Sequence, residues 1–113
     1  MTAADSYRLI ADLSEEVIVP KDGIISRTLH QDEHLKAVLF GFSAGQELSE
    51  HTAAVPAIMH FIQGEAEVVV GGVPSPAREG TWIHMTSNLR HSVKARTPVV
   101  MLLLILKSAG GCT

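Results

Sequence analysis

Residues 49–72 read SEHTAAVPAIMHFIQGEAEVVVGG, and residues 80–93 read GTWIHMTSNLRHSV. In both segments short apolar runs alternate with other residues, and Gly and Pro interrupt them. Alternation with a period of two indicates strands that bury one face. His51 lies near the start of the first segment, and His91 lies near the end of the second. The two segments therefore predict a β-rich domain and mark two candidate functional residues.

Strand-like runs continue outward from these segments in both directions. The predicted strands cover residues 16–19, 24–29, 35–42, 59–62, 65–70, 82–85, 92–94 and 99–106. Turn signals separate them at intervals of about 8 to 12 residues, which is typical of an all-β sandwich or barrel. A weak signal within residues 1–13 predicts one short helical turn, and no longer segment has a 3.6-residue period.

Polar, Gly and Pro residues predict where the chain turns. Residues 63–64 join two predicted strands and indicate a hairpin. Residues 71–72 and 74–76 indicate further turns. Residues 30–34, which include two histidines, are polar throughout and predict a solvated loop.

The composition favours a single folded domain. The 113 residues suit one core, and 46% hydrophobic against 19% charged residues excludes a disordered chain. A net charge of −3 gives no basic footprint for nucleic acid. The longest apolar run, residues 99–106, is far short of the roughly 20 residues of a membrane span.

The chain ends suggest a reducing compartment. No basic stretch followed by an apolar one opens the sequence, so no signal peptide is predicted. The single cysteine, Cys112, permits no internal disulfide. We therefore expect a cytoplasmic protein that binds neither nucleic acid nor membrane.

The first segment resembles the first motif of the cupin family. That motif runs Gly, five residues, His-x-His, three or four residues, Glu, six residues, Gly. Gly45, His51 and Gly64 match it here, whereas Ala53 and Ala57 stand at the second histidine and at the glutamate. The resemblance therefore implies a degenerate metal motif.

The second segment resembles the second cupin motif, which runs Gly, five residues, Pro-x-Gly, two residues, His. Gly80 and His91 match it in spacing. Thr86 stands where proline is usual, and Asn88 stands where glycine is usual. Asn adopts the left-handed conformation more readily than most residues, so this second change is mild.

Over residues 35–106 the chain is similar to the small single-domain bacterial cupins of the RmlC-like superfamily. The resemblance implies an all-β, single-domain jelly-roll antiparallel β-barrel (a double-stranded β-helix) that is often paired into a homodimer. One domain would cover residues 1–113, with N-terminal strands and a loop in residues 1–34. Residues 107–113 would form a flexible tail.

The family's metal site has three imidazoles and one carboxylate around Fe, Mn, Ni, Zn or Cu. By resemblance, His51 and His91 are the ligands that remain in this chain. Two ligands rarely hold a divalent ion against water and competing sites. A weakly held transition metal, Fe, Ni, Mn or Zn, is therefore the candidate cofactor. His60 or His84 could complete the metal shell.

Strand parity decides which side chains can reach the barrel interior. If Ala57 faces inward, as the family glutamate does, residues two positions apart share its face. The expected lining of the cavity is then Met59, Phe61 and Met85. His60 and His84 would lie on the opposite face near Trp82. A β-bulge near Pro56 would reverse this parity and bring His60 into the cavity.

Three functions remain open from the sequence. The first is binding of a small molecule inside the barrel around His51 and His91, with a weakened or absent metal site. The second is a metal-dependent cupin enzyme, either an isomerase, a lyase or a dioxygenase. The third is a structural or regulatory dimer without a ligand. The sequence leaves open whether the protein is an enzyme.

Overall fold

Nine strands and one short 3₁₀ helix form the regular structure of residues 6–107, the part of the chain that our computed structural model describes. The 3₁₀ helix is Leu13–Glu15, and the strands are β1 (Ile24–Gln31), β2 (Leu35–Phe42), β3 (Glu47–His51), β4 (Ala57–Gln63), β5 (Ala66–Val70), β6 (Val73–Ala77), β7 (Trp82–Met85), β8 (His91–Ala95) and β9 (Val99–Leu106). Cys112 and all of the predicted flexible tail except Lys107 lie outside the described residues, as do residues 1–5 of the predicted helical turn.

The strands form two antiparallel sheets. One has five strands in the order β1-β2-β9-β4-β7, and the other has four in the order β3-β8-β5-β6. From β2 onward the chain crosses to the other sheet at every connection except that between β5 and β6, which is the jelly-roll arrangement. The prediction of an all-β, antiparallel jelly roll is therefore confirmed. None of the described residues belongs to a helix that is long and apolar enough to cross a membrane.

The hydrophobic core lies between the two sheets. Its largest fully buried side chains are Phe42, Phe61, Met59, Met85, Met101, Val68, Val93 and Val99. In β4 and β8 every second residue is buried, as the alternating sequence predicts. The strands β2, β7 and β9 have the bounds predicted from the sequence.

The predicted hairpin at residues 63–64 is wrong. Strand β4 pairs with β7 and β9 in one sheet, whereas β5 pairs with β6 and β8 in the other. Gly64 has a φ of +89°, and its backbone lies against Pro98 and Val99. The two residues are therefore a corner at which the chain leaves one sheet for the other.

The predicted turn at residues 74–76 is also wrong, because Pro74 and Pro76 lie in β6. This strand is at the edge of its sheet and pairs only with β5. Proline is tolerated in an edge strand because the missing N–H can face away from the neighbour. The turn is formed by Gly71 and Gly72 alone, which have φ values of +58° and +82° and suit a tight two-residue hairpin.

The segment before β1 packs on the five-stranded sheet instead of adding a strand to it. Residues 16–19, predicted as a strand, have no ladder partner. A side-chain atom at position 41 would meet Val17 at 3.3 Å and the Val19 backbone at 3.4 Å, so this segment covers β2. We call the sheet face that points away from the core the outer face. Leu39 lies on it and is nevertheless fully buried.

Candidate functional site

His51 and His91 lie directly opposite each other on β3 and β8. Their ring centroids are 4.2 Å apart, and the ring planes are inclined by 61°. The β3–β8 register shifts between Leu48 and His51, which indicates a bulge just before the first histidine. Since a bulge re-aims the side chains that follow it, this irregularity positions His51 against His91. We call these two residues the histidine pair.

Both rings are held by their own backbone. The Nδ1 atom of His51 lies 2.8 Å from the carbonyl oxygen of Ser49, and that of His91 lies 2.9 Å from the carbonyl oxygen of Leu89. A carbonyl oxygen can only accept, so each Nδ1 carries the hydrogen and donates it. In the neutral rings the lone pair is then on Nε2. Fixing one ring nitrogen in this way leaves the other oriented for a ligand.

The two histidines differ in their exposure to water. His91 is 6% exposed and belongs to the inward row of β8, whereas His51 is exposed. The pair thus spans the boundary between core and solvent. Only the ring of His51 is open to solvent.

The turn before His91 has the conformation predicted for it. Asn88 has a φ of +65°, and among the described residues it is the one non-glycine residue with a positive φ. Its backbone N–H donates to the carbonyl oxygen of Ala53 at 2.7 Å. This bond ties the turn before β8 to the loop after β3, and both loops flank the histidine pair.

The predicted cavity lining lies within the packed core. Met59, Phe61 and Met85 are at most 1% exposed and belong to one hydrophobic cluster. Inward orientation of these residues agrees with the parity argument. Four cavities in residues 6–107 are lined by other residues, not by these three or by the histidine pair. Contact of these three residues with a ligand stays a prediction.

His60 and His84 lie on the outer face. His60 is opposite Trp82 in β7 and Leu102 in β9, and His84 is opposite Ile58. The β4 register runs without a shift from Ala57 to Phe61, so the bulge near Pro56 that would turn His60 inward is not found. The suggestion that His60 or His84 completes a metal shell is therefore not supported, because the sheet separates them from the histidine pair.

The remaining donor set does not fit a tightly held metal. Ala53 and Ala57 stand where the resemblance places a histidine and a glutamate, and neither side chain has a donor atom. Residues 6–107 contain no group of three or more His, Cys, Asp or Glu side chains placed to hold an ion. Catalytic zinc sites use three protein ligands. The pair alone offers two imidazoles and no charge.

A second polar cluster was not predicted from the sequence. His30 belongs to β1 and is half-buried, so its assignment to a solvated loop is wrong; His34 is exposed, in agreement with that prediction. His30 Nε2 lies 2.8 Å from Asp32 Oδ2. This hydrogen bond, followed by that from the backbone N–H of His34, lowers the pKa of Asp32 to about 2. Alternation along β1 could not have shown it, because the register of β1 shifts between Thr28 and His30.

Solved structures with this architecture include proteins of the cupin superfamily. An RmlC-like cupin from Desulfovibrio desulfuricans is 28% identical, with a TM-score of 0.79 over 88% of this chain and 97% of that chain. A conserved protein of unknown function from Streptococcus pyogenes is 29% identical, with a TM-score of 0.81 and 90% coverage of both chains.

A third structure shows the fold at lower identity. The cupin superfamily protein from Desulfitobacterium hafniense is 19% identical, with a TM-score of 0.81 over 89% of this chain and 92% of that chain. No protein-family model and no curated protein matches the sequence. From the two antiparallel sheets, the spacing around the histidine pair and these structures, we conclude that the chain has the jelly-roll fold of the RmlC-like cupins and is similar to their small single-domain members.

Proposed function

We propose that this cupin binds a small molecule at the histidine pair, with a metal site weakened to two imidazoles. The observation that carries the proposal is that both Nδ1 atoms are bonded to backbone carbonyls, at 2.8 Å and 2.9 Å. Each ring then has its lone pair on Nε2; the ring centroids are 4.2 Å apart, and the ring of His51 is exposed. A small number of precisely placed polar groups is what orients a ligand in a small-molecule site.

The tautomers define the kind of ligand. Two neutral imidazoles with hydrogen on Nδ1 present two acceptors at Nε2. A hydroxyl or amine group can donate to them, whereas an ionised carboxylate has no hydrogen to donate. The neighbouring core is apolar, with Val70 of β5 directly opposite His91. A weakly polar alcohol or phenol suits this setting better than a sugar acid.

A metal-dependent activity is the second candidate, because the same two Nε2 atoms could bind a transition metal. With two protein ligands, the ion would be held weakly and would need water or a substrate for its remaining positions. Fe, Ni, Mn and Zn are the ions to test. An isomerase, lyase or dioxygenase activity would require a further ligand that residues 6–107 do not bring to the pair.

Binding of phenol is expected to depend on the histidine pair. Phenol should shift the NMR signals of His51 and His91 in the untagged protein, and the His51→Ala, His91→Ala double variant should bind it about tenfold more weakly or not at all, because a hydrogen bond contributes about 0.5–1.5 kcal/mol. Anisole, which lacks the hydroxyl hydrogen, should bind wild type and variant equally.

The matched control is the His60→Ala, His84→Ala double variant, which removes two histidines from the outer face and should bind phenol like wild type. Elemental analysis of the same untagged preparations tests the metal. Near-stoichiometric metal that disappears only in the His51→Ala, His91→Ala variant would favour the enzyme. Absence of both phenol binding and metal would contradict the proposal and favour a structural module.

We also propose that the outer face of the five-stranded sheet binds a second copy of the chain. Trp82 is 58% exposed there; His60 lies directly opposite it, and the half-buried apolar residues Ile58 and Leu104 lie on the same face. An exposed aromatic residue within an apolar patch marks an association surface. The likeness to cupins supports a homodimer, and the single cysteine in the sequence is compatible with a reducing compartment such as the cytoplasm.

Trp82→Lys is expected to shift the protein from dimer to monomer. Burying a lysine charge in an apolar interface costs more free energy than the tryptophan contact contributes. Light scattering coupled to size exclusion should give about twice the chain mass of 12.1 kDa for wild type and one chain mass for the variant. Val73→Lys, at another exposed apolar residue in the four-stranded sheet, should leave the dimer intact. A monomeric wild type would contradict this assignment.

A further inference from the structure

A cleft of about 750 Å³ separates the N-terminal segment from the outer face of the five-stranded sheet. Its floor includes Leu35 of β2 and Leu102 of β9, and its rim includes Leu13 of the 3₁₀ helix. Arg8, His30 and Asp32 lie at its polar end. We call it the N-terminal cleft. It lies on the opposite side of the sheet from the core, and no atom of the histidine pair lines it.

The polar end is a chain of directed hydrogen bonds. Arg8 Nε donates to His30 Nδ1 at 3.2 Å, so that nitrogen carries the lone pair. The hydrogen of His30 is then on Nε2, which donates to Asp32 Oδ2 at 2.8 Å. The tautomer of His30 is thereby opposite to that of the histidine pair. These two hydrogen bonds orient the guanidinium of Arg8 through its Nε atom.

The charge of Asp32 is already engaged elsewhere. Its Oδ1 accepts from the backbone N–H groups of His34 and Leu35 at 2.8 Å and 2.9 Å. Lys107 Nζ donates to the backbone oxygen of Asp32 at 2.7 Å and brings a further positive charge to this end. Within residues 6–107, Arg8 forms no ion pair with a carboxylate. Among the groups joined by these hydrogen bonds, the two positive charges of Arg8 and Lys107 outnumber the one negative charge of Asp32, and the guanidinium of Arg8 is oriented.

We propose that the N-terminal cleft binds a monocarboxylate with an apolar chain. The two terminal nitrogens of Arg8 match a carboxylate in the bidentate geometry that guanidinium favours. The leucine-lined floor would receive the chain, and the volume is within the range of small-molecule sites. This site differs from the histidine pair in place and in ligand class. Its guanidinium would bind an anionic carboxylate, whereas the Nε2 atoms of the pair would accept hydrogen bonds from a hydroxyl or amine.

The full-length protein should bind sodium octanoate saturably, at one molecule per chain, when it is titrated by calorimetry. Arg8→Gln should weaken binding about tenfold or more, because a hydrogen bond to a charged group is stronger than a neutral one. Arg8→Lys keeps the positive charge but loses the bidentate geometry of the guanidinium. Its affinity for octanoate should lie between that of wild type and that of Arg8→Gln. Octanol should bind more weakly than octanoate and should not respond to Arg8→Gln. Acetate, which has no chain, should not saturate.

Two controls locate the site. Arg96→Gln removes an exposed arginine that pairs with Glu67 in the other sheet at 3.1 Å, and it should not change octanoate binding. The His51→Ala, His91→Ala variant should also bind octanoate like wild type. Loss of binding in that variant would place the ligand at the histidine pair and overturn the proposal. Equal binding by wild type and Arg8→Gln, or no binding by wild type because another segment or a second copy fills the cleft, would overturn it as well.

Discussion

Phe61→Ala is expected to lower the free energy of unfolding by about 3–5 kcal/mol, which is the range for truncating a buried phenylalanine. Phe61 is 0% exposed and lies opposite Met101 in the core between the sheets. The backbone around it is fixed, since its N–H donates to Thr81 and its carbonyl oxygen accepts from Gly80, both at 2.9 Å. The structure thus has little freedom to close the void. Urea denaturation followed by circular dichroism measures the change.

The result also bears on the interior of the barrel. Val73→Ala, at a 64% exposed position in edge strand β6, should change stability by less than about 0.5 kcal/mol. If Phe61→Ala leaves no folded protein, Phe61→Leu keeps the effect measurable at a smaller loss. A cost below about 1 kcal/mol for Phe61→Ala would mean that the interior is not packed. It would then favour an open cavity lined by Met59, Phe61 and Met85.

Gly64→Ala is expected to lower the free energy of unfolding by about 3 kcal/mol or more, because a backbone penalty and a steric penalty add together. The φ of +89° is strained for any residue with a Cβ. The added Cβ would also overlap the carbonyl oxygen of Pro98 and lie 2.9 Å from the Cα of Val99, and both are backbone atoms that cannot swing aside. The expected readout is a lower urea midpoint with an unchanged slope.

Gly80→Ala is the matched control for this corner. Gly80 has a φ of +92°, and a Cβ placed there meets nothing within 4 Å. Gly80→Ala should therefore lower the free energy of unfolding only by the penalty for a positive φ, about 1–2 kcal/mol. The difference between the two variants measures the close approach of the strands at the corner. Equal costs would show that the corner relaxes, and the contact with Pro98 would then have no energetic role.

Much of the secondary structure follows from local pattern. The strands β2, β7 and β9 have their predicted bounds because each is a short apolar run closed by turn residues. The parity of β4 was predicted as well, since side chains on a strand alternate whatever the strand pairs with. The histidine pair was indicated by spacing relative to glycines, through the resemblance, although forty positions separate the two residues.

Strand β3, which carries His51, escaped prediction because its sequence, Glu47–His51, is polar at most positions. Its burial pattern is that of an exposed strand, and such a strand has no apolar alternation to detect. Its place in the sheet depends on pairing with β8. The contact between His51 and His91 therefore depends on the pairing of β3 with β8 and on the register shift before His51.

By itself, the sequence determined the fold class, the alternation of buried residues and the two histidines to consider. The tertiary structure decided the strand partners, and with them the corner at Gly64, the edge position of Pro74, the outward orientation of His60 and the cluster at His30. The physical reason is that alternation reports how each residue meets the core, which is a local property. The choice of partner and register depends on contacts between residues far apart in the chain.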